Sequence, residues 1–243
     1  MSSIFSFETM WKIWLKYSSF YWDGVKNTLL VSFFAVLMGV CLGLLVAGGR
    51  MWKPLTTDGD LKKAIKGIVR FLCTTYVEVL RVTPLMVQVM IIYFGASAAG
   101  LKFSDTNFTI LFWGLISVSL NSGAYLSEVI RSGIGAVEGG QLEAARAIGL
   151  TQGQAMRYVI LPQAVRNILP ALANEFVTMI KETSVLNMIG LHEIMFRAGD
   201  VRAATYRSLE CYVIAAILYF IIVFPLSKLV AAFERRMSKS VTR

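Results

Sequence analysis

Apolar stretches alternate with short polar ones along this chain. Five of them reach the ~20 residues that a helix needs to cross a bilayer. They are residues 25–49, 67–98, 108–130, 162–188 and 209–233. The pattern predicts an all-α membrane protein with five transmembrane helices.

The residues before the first apolar stretch are aromatic and amphipathic. Trp11 and Trp14 suit the headgroup layer of a membrane, and Lys12 and Lys16 can reach water. We therefore expect residues 1–24 to form an interfacial helix that leads into the first span. They lack the short apolar core and cleavage site of a secretory signal, so no cleavable signal peptide is expected.

Two of the spans contain residues that predict how the helices pack or where they break. Gly39 and Gly43 form a small-xxx-small stripe in the first span, which allows another helix to approach closely. The second stretch is too long for one simple span, and Arg81-Val-Thr-Pro84 interrupts it. Proline removes a backbone donor and disfavours helix at the preceding residue. We expect a helix to about residue 80, a break, and a second helix from Pro84.

The charges predict the orientation of the spans. Charged residues make up 16% of the chain, against roughly 25% in a soluble domain. The net charge of +9 could indicate nucleic-acid binding, but the basic residues lie at the ends of apolar runs, as in cytoplasmic loops. Basic segments at residues 50–70 and 234–239 place the C-terminus in the cytoplasm. With five spans, the N-terminus and residues 190–208 then lie outside.

The polar segment at residues 140–162 has helical patterning between two apolar runs. Gly149 can end a first short helix, and Thr151 can cap a second one that ends towards Pro162. Some DNA-binding proteins use a similar pair of helices. Because spans flank this segment on both sides, we expect no nucleic-acid partner.

The sequence Glu143-Ala-Ala, followed by Gly149 and by Val159-x-Leu161-Pro162, resembles the EAA loop of ABC importer permeases. Val159 stands where that family usually has isoleucine. The resemblance implies that this cytoplasmic loop docks on a separate ATPase. The residues implied in this ATPase-coupling role are Gln141, Glu143, Ala144, Ala145, Gly149, Leu161 and Pro162.

Three further runs resemble the polar amino acid uptake branch of these permeases. They are Tyr76-Val-Glu78 with Arg81-x-x-Pro84, Asn121-Ser-Gly-Ala-Tyr125, and Lys181-Glu-Thr-Ser184. The implied protein has the type I ABC importer fold in the inner membrane of a bacterium. Its transmembrane permease domain covers residues 25–236, including the coupling loop at 138–162, and residues 237–243 form a cytoplasmic tail.

The resemblance also implies partners. They are a dimer of ABC ATPase subunits, a second permease chain that is either a copy or a sister, an extracytoplasmic solute-binding protein, membrane lipid and an amino acid. Two permease chains would form a pathway that works by alternating access. The sequence leaves the amino acid unspecified.

The span at residues 162–188 carries polar residues on one helical face, at positions 171, 174, 175, 178, 181 and 182. Charged side chains are costly in lipid, so this face should line a partner, a substrate path or water. As an alternative, the polar face could form salt bridges to another helix and bind no ligand. An amino acid zwitterion needs partners of both signs. The hypothetical substrate-binding residues are Asn121, Glu175, Thr178, Lys181 and Glu182.

The sequence has no P-loop, no nucleophile elbow and no paired Cys or His clusters. We expect the chain to be no enzyme and to hold no metal or cofactor, so that ATP and Mg²⁺ bind to the partner ATPase. Two alternatives remain open from the residues. One is an ion-gradient-driven secondary amino acid carrier, and the other is a membrane scaffold without transport. Neither accounts for the pattern from Glu143 to Pro162.

Overall fold

The computed structural model describes residues 5–137 and 139–239, without the side chains of residues 238 and 239. Nine α-helices make up most of this described part. They are α1 (Phe7–Met51), α2 (Asp60–Val82), α3 (Leu85–Ala98), α4 (Thr106–Gly135), α5 (Gly139–Ala147), α6 (Gln152–Ala155), α7 (Leu161–Glu182), α8 (Ile194–Thr205) and α9 (Ser208–Lys239). A π-helix at Met156–Ile160 precedes α7, and a 3₁₀-helix at Thr183–Ile189 follows it. Parts of the expected N-terminal segment, coupling loop and tail lie outside the described residues, at positions 1–4, 138 and 240–243.

The described helices confirm the all-α membrane fold. Three of them, α1, α4 and α9, are long and apolar enough to cross a membrane, and α2 and α3 together have the composition of a fourth, broken span or of a re-entrant loop. The fifth expected span is α7. Its 22 residues extend ~33 Å, which is enough for a bilayer core. Its polar residues make it less apolar than α1, α4 and α9.

The expected N-terminal lead-in segment is continuous with the first span. The two form α1, one helix of 45 residues from Phe7 to Met51. The chain contains no proline before Pro54, so nothing interrupts the backbone hydrogen bonds at the expected boundary. Core residues lie on both sides of the expected boundary between residues 24 and 25. Ile13 and Tyr21 precede this boundary, and Val25 follows it. Packing therefore favours a continuous helix.

The other helix boundaries follow the expected breaks with one exception. The second apolar stretch divides between α2 and α3, as Pro84 predicts. The fourth span does not remain α-helical to residue 188, because α7 ends at Glu182 and the tighter 3₁₀-helix continues to Ile189. The outer segment at residues 190–208 contains α8.

The chain forms two compact units. Unit 1 consists of Met1–Val36, Pro84–Ser119 and Phe176–Lys228. Its core joins Tyr21 of α1 to Ile194 of α8 and Leu218 of α9. The carboxylate of Glu193 is fully buried, where it caps α8 by accepting the backbone N–H groups of residues 195 and 196 and a hydrogen bond from the Tyr219 hydroxyl.

Unit 2 consists of Leu37–Thr83, Leu120–Glu175 and Leu229–Arg243. In it, α1 and α4 approach closely at the predicted glycine stripe. A Cβ on Gly39 would lie 2.7 Å from Ser122 Oγ, and one on Gly43 would lie 3.0 Å from Leu126 Cβ. Gly123 on α4 is equally close to α1, since a Cβ added to it would lie 2.8 Å from Leu42 Cβ. The small residues therefore set the distance between these two helices, which confirms the predicted role of the stripe.

The loop between α1 and α2 is fixed by a buried ion pair. Asp58 is 8% exposed and Lys66 is 3% exposed, and Lys66 Nζ lies 2.5 Å from Asp58 Oδ2. The same carboxylate accepts the Leu55 backbone N–H and a second ion pair from Lys62. The Lys66 ammonium, helped by the Leu55 N–H and then by Lys62, holds the pKa of the Asp58 carboxyl well below its usual range.

We expect Gly123→Ala to destabilise the protein by about 1–3 kcal/mol, since the added methyl group meets Leu42 in a closely packed contact. The matched control is Gly48→Ala on α1, where no atom lies within 4 Å of the added Cβ. It should leave stability unchanged or raise it by up to about 1 kcal/mol. Unfolding in mild detergent measures both, and equal midpoints for the two variants would contradict the close packing.

We expect Asp58→Asn to lower the thermal midpoint at pH 7, because Lys66 then stays buried without a counter-ion. A carboxyl whose pKa is depressed by folding contributes stability above its unfolded pKa of ~4 and loses it as the pH falls below that value. The difference between wild type and variant should therefore shrink below about pH 4. Asp60→Asn, at a fully exposed carboxylate in the first turn of α2, should show no such dependence.

Candidate functional site

Two of the singled-out runs, 44 residues apart in the chain, contact each other in unit 2. The Tyr76 hydroxyl donates a hydrogen bond of 2.6 Å to the Leu120 carbonyl. The Arg81 guanidinium lies 5.6 Å from the centre of the Tyr125 ring, within the range of cation–π attraction. Contacts of this kind connect α2 to α4 along the length of both runs.

Asn121 completes this contact at the helix break. In an α-helix the Leu80 carbonyl accepts the N–H of the residue four positions later, but that residue is Pro84, which has none. Asn121 Nδ2 lies 3.3 Å from the Leu80 oxygen and donates to it instead. Thr83 satisfies the preceding carbonyl, with its N–H and its hydroxyl both donating to Val79 O. Asn121 is 3% exposed, so the structure assigns it to the break rather than to an open surface.

Glu175 is held beside this contact by α4. Ser122 Oγ donates a hydrogen bond of 3.0 Å to Glu175 Oε1, and the carboxylate is half-buried. Gly39 leaves the room in which Ser122 lies. Among the proposed substrate-binding residues, Glu175 is thus hydrogen-bonded to Ser122, the residue that follows Asn121 in the chain.

The remaining proposed substrate-binding residues, Thr178, Lys181 and Glu182, belong to unit 1. Thr178 and Glu182 are half-buried and Lys181 is exposed, while Met179 and Ile180 are fully buried in the core. In this part of α7 the polar residues are therefore more exposed than the apolar residues, as predicted for a helix with one polar face. Within the described part of the chain, no carboxylate lies at salt-bridge distance from the Lys181 ammonium.

A polar cavity of about 540 Å³ lies in unit 2 along the first half of α7. Its walls include Asn167 and Asn174 on α7, with an arginine and a carboxylate, Arg166 and Glu234. Both charged residues are exposed. The sequence reasoning did not select them, because Glu234 comes from α9, far away in the chain.

The coupling loop begins with a helix that ends as Gly149 predicts. Gly149 has φ +92°, in the left-handed region that favours glycine. Its N–H donates to the Arg146 carbonyl, and the Leu150 N–H donates to the Ala145 carbonyl. This pair of bonds is the Schellman motif, which satisfies the last carbonyls of α5.

The second helix of the loop begins as predicted but does not end at Pro162. Thr151 caps α6 in a capping box with Gln154, each side chain bonding the other's backbone N–H. The chain then passes through the π-helix directly into α7, so the expected end is wrong. The π-turn changes the hydrogen-bond register just before Pro162, and Gln163 Nε2 donates to the Val159 carbonyl. The helix passes Pro162 without a break.

The loop presents most of its singled-out residues on its surface. Gln141, Glu143, Ala144, Gly149, Leu161 and Pro162 are exposed. Ala145 is 3% exposed and packs inside the loop, so its size matters for the hairpin itself. Two large apolar side chains that the sequence reasoning missed are open to solvent, Ile148 at 80% and Tyr158 at 64% exposure. The signal for them was present, as apolar residues inside a polar segment.

A family model described as "Binding-protein-dependent transport system inner membrane component" matches residues 39–239. The chain belongs to this family. The matched range includes the α2–α4 contact, the polar face of α7 and the coupling loop. The resemblance to ABC importer permeases is thereby confirmed.

Curated relatives agree with this family. The putative glutamine transport system permease protein GlnP of Rickettsia typhi is 37% identical over 215 residues, which cover 88% of this chain and 91% of the relative. The arginine transport system permease protein ArtQ of Bacillus subtilis is 35% identical and covers 90% of this chain and 92% of its own. These relatives are named as permeases of transport systems and not as ion-gradient-driven carriers, so the secondary carrier alternative is not supported.

Solved structures agree with the fold. A crystal structure of an amino acid ABC transporter with histidines is 38% identical, with a TM-score of 0.83 over 96% of this chain and 99% of that one. The inward-facing MetNI methionine ABC transporter matches with a TM-score of 0.63 at 20% identity, which supports the fold alone. The type I ABC importer architecture is thus confirmed for this permease.

Proposed function

We propose that this chain is the permease subunit of an importer of polar amino acids, and that it works by alternating access driven through the coupling loop. The observation that carries the proposal is the unbroken backbone from α6 through the π-helix into α7. A force applied to the exposed loop reaches the helix that bears the polar face without crossing a flexible joint. Motion of an attached ATPase can therefore reorient that face.

The proposed assembly follows from the family. A dimer of ABC ATPase subunits binds ATP and Mg²⁺, hydrolyses the ATP and docks on the loop at residues 141–161. A second permease chain, either a copy or a sister, completes the pathway in the inner membrane of a bacterium. A solute-binding protein delivers the amino acid from outside, on the side of the N-terminus, and the basic C-terminal end of α9 lies in the cytoplasm.

We further propose that the polar face of α7 recognises the substrate. A zwitterion carries an ammonium and a carboxylate, and Glu175 and Lys181 supply the complementary charges, with Thr178 and Glu182 beside them. Asn121 acts indirectly by holding the helix break next to Ser122. The names of the relatives, which concern glutamine and arginine, support a polar amino acid as the substrate class.

We expect Glu175→Gln to raise the KM for the amino acid about 10- to 100-fold, since a hydrogen bond to a charged group contributes ~1.5–3 kcal/mol. Uptake and substrate-stimulated ATPase activity in proteoliposomes measure the effect. The matched control is Ser122→Ala, which removes the hydrogen bond to Glu175 and keeps its charge. The control keeps the carboxylate in the site, so it should raise the KM less than Glu175→Gln does, and an unchanged KM in Glu175→Gln would show that the substrate site lies elsewhere.

We expect Gly149→Asp to reduce the amount of ATPase that purifies with the permease at least tenfold, because it places a charge on the exposed turn between α5 and α6. Gly149→Asn imposes the same backbone conformation without the charge, and asparagine tolerates the left-handed region about as well as aspartate. It should retain more ATPase. Normal recovery of ATPase with Gly149→Asp would contradict the docking role of the loop, while the thermal midpoint of the permease checks that the spans remain folded.

A further inference from the structure

The polar cavity of about 540 Å³ in unit 2 is lined by charges of both signs. Arg166 on α7 supplies a guanidinium group, and Glu234 on α9 supplies a carboxylate. Within residues 5–137 and 139–239, neither side chain forms an ion pair, and the two do not pair with each other. Two opposite charges that share a cavity in this way can bind one ligand that carries both charges.

The wall of the cavity also contains hydrogen-bond acceptors. Pro170 has no N–H, so the Arg166 carbonyl lacks the donor that an α-helix normally supplies four residues later. Asn167 Nδ2 donates to the Gly133 carbonyl, with 3.4 Å between the two atoms, which leaves the amide oxygen of Asn167 as an acceptor. Together with the Glu234 carboxylate, these oxygens suit an ammonium group, while the guanidinium suits a carboxylate.

The cavity lies on the polar face of α7, near the end that follows the coupling loop. Asn167, Ala171 and Asn174 line it at spacings of four and three residues. The same spacing leads on to Thr178 and Lys181, two of the proposed substrate-binding residues. The cavity residues therefore continue the polar face of α7 towards the coupling loop.

The cavity is separate from the carboxylate proposed to bind the substrate. Arg166 and Glu175 are nine residues apart on α7, which corresponds to ~13.5 Å along the helix axis. Side chains of one helix lean in the same direction, so this separation is kept at their charged ends. One amino acid spans less than ~4 Å of backbone, so its two charged groups cannot contact both residues at once.

On the basis of the proposed function, which supplies the substrate class and the cytoplasmic side, we propose that this cavity is a second subsite for the transported amino acid. Arg166 binds the substrate carboxylate, and Glu234 with the neighbouring acceptors binds its ammonium group. Both charged side chains are exposed, so water weakens the two ion pairs and the affinity is low. Low affinity suits release into the cytoplasm. Amino acid that accumulates there occupies the cavity and slows further uptake.

The test uses the complete transporter, with its ATPase and solute-binding protein, in liposomes that contain ATP. Labelled L-glutamine or L-arginine, whichever is taken up, is supplied outside, and the same unlabelled amino acid is loaded inside. We expect millimolar internal amino acid to slow the initial uptake, and its N-acetylated form, which lacks the ammonium group, to slow it much less. Arg166→Gln and Glu234→Gln should each raise the internal concentration for half-inhibition about two- to fivefold, since each removes one exposed ion pair. Glu234→Gln serves alone if Arg166→Gln does not assemble.

Arg166→Lys should retain the inhibition because it keeps the charge. The matched control is Arg235→Gln, which removes an exposed charge next to Glu234 from a position that does not line the cavity. Its half-inhibiting concentration should equal that of wild type. ATP-driven uptake that ignores internal amino acid, equal inhibition by the N-acetylated form, or wild-type inhibition in both glutamine variants would overturn the subsite alone.

The proposed function fails through different readouts. Glu175→Gln is measured by the external KM, whereas Arg166→Gln and Glu234→Gln are measured by the internal concentration for half-inhibition. Absence of ATP-driven uptake by the wild-type transporter would overturn the proposed function, and this inference with it.

Discussion

A bilayer core offers no water to an unpaired backbone group, and the arrangement around Pro84 depends on this constraint. Proline breaks the second span and leaves the Leu80 carbonyl without its helical donor. Asn121 supplies the donor from α4. Because that hydrogen bond fixes Asn121, it also fixes the next residue, Ser122, which binds Glu175 on α7. Two hydrogen bonds from neighbouring residues of α4 thus connect the break in the second span to the Glu175 carboxylate on α7.

The glycines make this chain of contacts physically possible. Ser122 fits only because Gly39 has no side chain, and Gly123 allows Leu42 and the Tyr76 hydroxyl to come near the α4 backbone. Close backbone approach replaces the hydrophobic driving force that soluble helices use, since lipid is as apolar as leucine. The polar and small residues of unit 2 therefore act together. A change in either would disturb the position of the Glu175 carboxylate.

Much of the fold could be predicted from local sequence, and the failures have physical causes. Pro84, Gly149 and Thr151 each act within about five residues, so their breaks and caps were visible in advance. The continuity of α1 was not visible, because aromatic residues suit both a headgroup layer and a helix core. Contacts across 53 residues, from Ser122 to Glu175, and across 78, from Arg50 to Glu128, leave no periodic signal in one sequence. The buried position of Asn121 was hidden for the same reason.

The unpredicted continuity at Pro162 matters most for mechanism. If the second helix of the loop ended there, a hinge would separate it from α7. The motion of a bound partner would then not be passed on to α7. Instead, the π-turn shifts the hydrogen-bond register, and Gln163 satisfies the Val159 carbonyl through its side chain. Gln163 also donates to Gln141 at the start of the loop, with 3.3 Å between Nε2 and Oε1. Both ends of the loop are therefore attached to the first turn of α7, which supports the proposal that a displacement of the exposed loop surface moves that helix.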